Sequence, residues 1–285
     1  MVPFEIWPGP MEGVGSKQFV KTVNHLKLVD RWMTPFLRIS SSIPKIKLIE
    51  ELIEPFCAGN VPVTLQIMGT NPAMLEETAK LASKLPIIGI NLNAGCPSKR
   101  VCSNGAGGGL WKTPPKIKEL LLAIKNGAPN LEISLKTRLG FNAPEESYNI
   151  LEELAQSKAA DKYFIHYRTV NELYLPAPNR LERLQKAVHI LNGFPCIVNG
   201  DINSVEDGTT LLNKTSSQGI MCARFWVQDP WLLKRFCNNN NAPNPEIGRM
   251  EFFKCFCSFN IPQGAKLEIA KMLWGVKSKE FQSLL

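Results

Sequence analysis

The 285-residue chain carries 33 Lys and Arg against 25 Asp and Glu, a formal charge of +8 with a pI near 9.1, and it is 44% hydrophobic. That is enough apolar content for one large core, yet no apolar stretch reaches the roughly 18 residues a membrane span needs. The N-terminus lacks the features of a signal peptide and the 8 cysteines show no paired CxxC spacing. The expectation is a soluble, cytosolic (cytoplasmic) protein with reduced thiols, no metal site and no membrane association. Surplus basic charge favours a polyanionic partner, with a merely basic enzyme surface as the competing explanation.

In chain order the sequence offers eight short apolar runs: Ile6–Met11, Trp32–Ile39, Val61–Met68, Ile87–Asn93, Leu131–Arg138, Lys162–His166, Phe194–Asn199 and Gly219–Arg224. They read as buried parallel strands. Between them lie segments with apolar residues at three- and four-residue spacing, such as Lys45–Cys57, Pro72–Lys84, Pro115–Lys125, Glu146–Lys158 and Asn179–Leu191, which fit helices. Strand–helix alternation forces parallel pairing with crossover helices, and eight units close a (β/α)8 TIM barrel over residues 1–237. An open doubly wound sheet is the alternative, but the turn after the first run, Pro8-Gly9-Pro10-Met11-Glu12-Gly13, lacks GxGxxG spacing. Residues 238–245, four asparagines then two prolines within four residues, read as a linker. Beyond it Ile247–Phe259 and Gly264–Val276 are periodic, so 246–285 forms a short helical appendage that must dock on the barrel.

Chemistry in such barrels gathers where strands end. Asn199-Gly200-Asp201 and Ala223-Arg224 fall at the ends of the last two runs, where amides and a guanidinium grip a phosphate monoester; a plain turn is the other reading. Asn93-Ala94-Gly95-Cys96-Pro97 bends sharply after run four and aims a thiol at the barrel mouth, unless Cys96 is only a small buried hydrophobe. Gly105–Gly109 lets backbone approach a ligand or another loop, or is a plain linker. Lys136 and Arg138 alternate and so share a side. His166, followed by Arg168, is either a satisfied rim residue or a donor to an anion or ring edge.

These residues carry a resemblance. Pro10-Met11-Glu12-Gly13-Val14, the ungapped pattern of fixed spacings Asn93, Gly95, Cys96, Pro97, Val101, Gly105, Gly107, Leu110 and Lys112, then Lys136-Thr137-Arg138-Leu139-Gly140, His166-Tyr167-Arg168-Thr169, Asn199-Gly200-Asp201 and Arg224 occur in order. Over most of its length the chain resembles the tRNA-dihydrouridine synthases, flavin-dependent barrels with a helical C-terminal domain. The resemblance implies FMN across the barrel mouth, with Pro10, Met11 and Gln66 at the ring, Asn93 and Lys136 at its polar edge and His166 nearby. Asn199, Gly200, Asp201, Ala223 and Arg224 would hold its phosphate. It further implies NADPH as reductant, Cys96 as the acid that protonates C5 of a tRNA uridine, and Arg38, Asn93, Arg138 and Arg168 as substrate contacts, with no obligate protein partner. Four residues depart from the family: Tyr167 replaces a Gly and would bring a large ring close to flavin or substrate, Ala223 and Phe225 flank Arg224 where glycines are usual, and Pro35 replaces a Glu. After residue 240 only 45 residues remain (285 − 240), which implies a reduced tRNA-gripping surface. Two other functions compete: an FMN-barrel reductase of a small pyrimidine-like molecule, and a paralogue that binds RNA or flavin without turnover.

Overall fold

The computed structural model describes residues 4–237 and 242–285. Each apolar run supplies strand: β1 (Glu5–Pro8), β2 (Trp32–Met33), β3 (Leu37–Ile39), β4 (Val63–Gly69), β5 (Gly89–Ala94), β6 (Glu132–Arg138), β7 (Lys162–His166), β8 (Cys196–Asn199) and β9 (Gly219–Cys222). All pairings are parallel, in the order β1-β9-β8-β7-β6-β5-β4-β2 with β3 also on β4. Among the described residues only the β1–β2 seam lacks a ladder, and there Trp7 and Met33 meet inside the barrel with Phe164, Ile197 and Met221.

The second run divides because Pro35 cannot donate to a ladder. Met33 pairs with Thr64 and Leu37 with Ile67, so Thr34, Pro35 and Phe36 oppose Leu65 and Gln66 alone. This is a bulge, and the Thr34 hydroxyl accepts the Gln66 backbone N–H at 3.0 Å in place of a carbonyl. It turns Phe36 toward the barrel mouth.

Helices follow the strands as their periodicity predicts: Ile46–Cys57, Pro72–Ala82, Pro115–Gly127, Glu145–Gln156 and Arg180–Ile190. Several begin at side-chain caps, Ser16 accepting from Phe19 N–H, Asn71 from Met74 and Ser204 from Asp207, with Pro72 and Pro115 in first turns where no donor is needed. Their apolar faces bury Ile49, Leu75, Leu120, Leu151 and Leu184 against the outward residues of the strands.

The amino-terminal end of the barrel is plugged by charge. Lys162, 7% exposed, bridges Glu5 at 3.1 Å and Glu132 at 2.9 Å, Arg31 reaches Glu5 at 2.8 Å, and Trp7 Nε1 donates to the same carboxylate at 2.8 Å.

The appendage comprises helices Pro245–Ser258, Gln263–Trp274 and Lys279–Gln282. Part of the expected linker, residues 238–241, lies outside the described residues. Its far end already belongs to the first helix, which Asn244 caps by accepting from Ile247 N–H at 3.0 Å. Docking is aromatic: Phe252 packs on Phe19 (5.4 Å between centroids), Phe19 on Trp226 (5.6 Å) and Trp226 on Trp32 (5.9 Å). No helix among the described residues is long and apolar enough to cross a membrane.

Candidate active site

At the carboxyl ends of the strands lies a cavity of about 620 Å³, within the range of small-molecule sites. Pro10 and Met11 form its β1 side, Asn93 and Cys96 its β5 side, Lys136, Arg138 and His166 its β6–β7 side, and Asn199, Gly200, Asp201, Ala223 and Arg224 its β8–β9 side.

The β5 side is held from below by a row of amides. Ser134 Oγ receives Asn91 Nδ2 at 2.9 Å, Asn91 Oδ1 receives Gln66 Nε2 at 2.8 Å, and Gln66 Oε1 receives Asn93 Nδ2 at 2.9 Å. Asn93 is thereby oriented with its Oδ1 upward, where it accepts the N–H of both Gly95 and Cys96 at 3.0 Å. The Cys96 carbonyl accepts from Gly108 N–H at 2.9 Å. Cys96 therefore sits on backbone fixed at both ends, and the glycine-rich segment is buried against it as a 3-10 helix, Gly107–Lys112, rather than acting as a free linker. Gln66 does not reach the cavity: it is 1% exposed and acts through Asn93, because its strand position places it one layer deeper.

Lys136 and Arg138 share the inward side, as their alternation requires. Burial pushes the Lys136 ammonium down to about 8, with the Arg138 charge acting in the same direction and Cys96 opposing it. No carboxylate among the described residues pairs with it. Burial also holds His166 well below its usual value, reinforced by Arg138, Lys136, Arg168 and Arg224, so the ring is neutral. Its Nδ1 accepts the Arg168 backbone N–H at 3.2 Å, which leaves the proton on Nε2, beside Gly200. Arg138 is committed through one nitrogen to the carbonyls of Thr169 (2.8 Å) and Leu173 (2.6 Å), and its plane faces the Tyr174 ring at 5.3 Å.

On the β8–β9 side Gly200 has φ +120, and a Cβ there would lie 2.6 Å from Tyr167 Cδ1. Tyr167 thus occupies space behind the loop, not in the cavity. It is 2% exposed, stacks on His166 and donates to Asp201 at 2.7 Å, correcting the expectation of a ring beside the ligand. Arg168 is likewise buried. It donates to Asp201 at 2.5 Å and to the Leu175 carbonyl at 2.6 Å, so beyond the end of β7 it turns into the wall and away from the cavity. Burial raises the Asp201 carboxyl, but hydrogen bonds from Arg168 and Tyr167 and the charges of Arg168 and Arg224 outweigh it and leave the group below the usual carboxylate range. Arg224 donates to the other Asp201 oxygen at 2.8 Å.

Ala223 fits without its usual glycine because Gly9 faces it: a Cβ on Gly9 would lie 2.7 Å from Ala223 Cβ. Pro35 stays behind the wall against Gly15, while Phe36 and Phe225 line the cavity. Arg38 does not; it opens into a separate hollow on the same rim. Sequence reasoning missed Phe36, Leu173, Tyr174 and Met221 as lining residues. Tyr174 and its neighbours, an exposed apolar trio in the loop after β7, were the available signal.

Phosphate fits this end of the cavity. The amides of Gly200, Asp201, Ala223 and Arg224 donate to no acceptor among the described residues, and they lie beside a guanidinium. With the His166 Nε2–H, the Lys136 ammonium and the apolar Met11 and Phe36 side chains, the donor set suits a mononucleotide carrying a polar-edged ring.

The family model "Dihydrouridine synthase (Dus)" matches residues 8–260. A "tRNA-dihydrouridine(16) synthase" of Vibrio parahaemolyticus is 30% identical over 241 residues, 82% of this chain and 74% of that protein. One of the same description from Pasteurella multocida is 30% identical over 246 residues, 83% and 77%. A "tRNA-dihydrouridine synthase B" of Pseudomonas aeruginosa is 27% identical over 239 residues, 82% and 69%. Among solved structures, a variant of NCR from Zymomonas mobilis superposes with a TM-score of 0.58 at 13% identity, covering 84% of this chain and 87% of the other. TcOYE with pHBA gives 0.58 at 9%, covering 85% and 91%. These two likenesses establish the barrel fold alone. The family match over most of the chain, with the 30% identity to its relatives, makes this protein a member of the dihydrouridine synthase family.

Proposed function

We propose that the protein is an FMN-dependent, NADPH-driven tRNA-dihydrouridine synthase that saturates the C5–C6 bond of a uridine in tRNA, uridine 16 being the position for which the Vibrio and Pasteurella relatives are named. The observation that carries this reading is a cysteine whose backbone is held by Asn93 at the rim of a cavity whose opposite end offers open donors for a phosphate. FMN, when bound, supplies the hydride equivalent for C6, recharged by NADPH.

The residues of the chain do the rest. Gly200, Asp201, Ala223 and Arg224 take the phosphate, with Asn199 beneath them donating to the Met221 carbonyl at 2.6 Å and keeping the β8 end against β9. Pro10 and Met11 offer apolar surface to the ring. Lys136 places positive charge, and His166 an N–H, at its polar edge. Cys96 holds the proton that C5 needs, and the backbone clamp around it fixes where that proton is delivered. Asn93 has both amide groups committed within the protein, so its role is to aim the cysteine loop. Arg138 and Tyr174 form a flat cationic and aromatic surface at the entrance, suited to a base turned out of its stack. The helical appendage and the net charge of +8 supply the polyanion grip. A tRNA substrate of this kind supports the cytoplasmic reading.

The test is to incubate the protein with FMN, NADPH and an unmodified tRNA transcript and to map nucleosides that have gained two hydrogens. Absence of dihydrouridine sinks the reading; its appearance at another position corrects the site assignment only.

A further inference from the structure

A second hollow of about 510 Å³ lies on the same rim. We propose that it is a subsite for a backbone phosphodiester of the tRNA strand flanking the target uridine, gripped by Arg38 and Arg100. The proposal rests on the tRNA reading above and extends it to a place outside the catalytic cavity.

Arg38 belongs to β3 and Arg100 to the short helix Lys99–Cys102, brought together because β3 pairs with β4 and the cysteine loop folds back over both. Among the described residues, neither guanidinium has a carboxylate partner or a hydrogen-bond acceptor. The lining contains no acidic residue. Ser40 and Thr70, at the ends of β3 and β4, add hydroxyls, and their backbone N–H groups likewise donate to nothing among the described residues. Two unneutralised arginines beside open donors form an anion site, and the fork geometry of guanidinium matches phosphate oxygens.

Position identifies the source of the anion. The wall between this hollow and the catalytic cavity is one layer of side chains, Met68, Val101 and Ala106, with Phe36 and Cys96 packed on it. A strand whose uridine enters the cavity carries its neighbouring phosphates along the rim on either side. The other basic hollow, around Lys21, Lys27 and Lys234, is no substitute. It lies near the amino-terminal ends of the strands, and Asp30 already pairs with Lys234 at 2.7 Å.

The experiment measures tRNA binding by the FMN-loaded protein across a salt series, for wild type, Arg38→Ala, Arg100→Ala and the two Arg→Lys variants. Each alanine variant is expected to raise Kd about tenfold. Each should also lower the slope of log Kd against log salt by about 0.7 to 0.9, one phosphate contact. Lysine at either position restores the slope but only part of the affinity, because charge returns without the fork. FMN content and the rate of flavin reduction by NADPH stay at wild-type values. Unchanged Kd and slope in both alanine variants overturn the proposal. So does a raised KM for NADPH with unaltered tRNA binding, which assigns the hollow to the 2′-phosphate of the reductant. A wild-type protein that binds tRNA but makes no dihydrouridine defeats the activity reading, while the binding comparison still decides this one.

Discussion

Asp201→Asn tests whether the wall behind the phosphate cradle is held by charge. In the native protein this carboxylate receives Arg168 at 2.5 Å, Tyr167 at 2.7 Å and Arg224 at 2.8 Å, and the Arg168 side chain is 3% exposed. Removing one partner of a buried ion pair costs about 3–5 kcal/mol, because the survivor keeps its desolvation penalty without compensation. Asp201 is 25% exposed and asparagine retains one carbonyl acceptor, which reduces the expected loss to about 2 kcal/mol. With a urea m-value of about 3 kcal/mol/M for a chain of this size, the unfolding midpoint falls by about 0.7 M at neutral pH. The pH dependence has a defined sign. The carboxyl lies below its ordinary range when folded, so its contribution is fully present above the unfolded value of about 3.9 and disappears as pH falls through the lower folded value. Wild type and variant should differ by a constant midpoint from neutrality down to the ordinary carboxylate range and converge below it. Equal midpoints at neutral pH, or a gap that persists in strong acid, would refute the reasoning.

Three further outcomes follow from the site. Cys96→Ala should retain FMN, measured by bound absorbance, and lose about a hundredfold or more in dihydrouridine formation, since it removes a proton donor and not a cofactor contact; turnover equal to wild type ends the general-acid role. Lys136→Met should weaken flavin binding or slow flavin reduction by NADPH. In the wild type the reduction rate should decline as pH rises through about 8, where the ammonium is lost, and stopped-flow traces of the variant should show no such decline. Gly9→Ala should destabilise the barrel by about 1–3 kcal/mol in urea unfolding, because its Cβ meets Ala223 Cβ at 2.7 Å, and adding Ala223→Gly should recover most of the loss.

Periodicity alone exposed the barrel, because a buried parallel strand between amphipathic helices leaves a run of apolar residues that nothing else in the chain imitates. It could not divide Trp32–Ile39: a proline inside an apolar run interrupts a ladder, but the resulting bulge depends on the register of β4 opposite. The same limit governed the site. Lys136 and Arg138 were legible as sharing a side because alternation on a strand is a local property, but which side they share was not. Gln66 also points inward yet lies a layer too deep, and depth is set by the stagger of neighbouring strands. Arg168 and Tyr167 leave their strand after His166, where alternation no longer applies, and both turn into the wall to serve Asp201. Tyr174 was legible as part of an apolar loop trio but not as a cavity residue, for the converse reason. A loop residue is brought over the cavity by contacts distant in sequence, here Arg138 holding the Leu173 carbonyl and Arg168 the Leu175 carbonyl.

The charged plug of Glu5, Arg31, Glu132 and Lys162, capped by Trp7, has a kinetic consequence. It closes the far end of the barrel, and among the described residues the cavity opens at the rim. A nicotinamide that must reach the ring and a uridine that must reach the same ring share one doorway and cannot occupy it together. On such a scaffold the two visits would alternate, the spent reductant leaving before the nucleotide enters, and a flavin held in the cradle would carry the reducing equivalents between them.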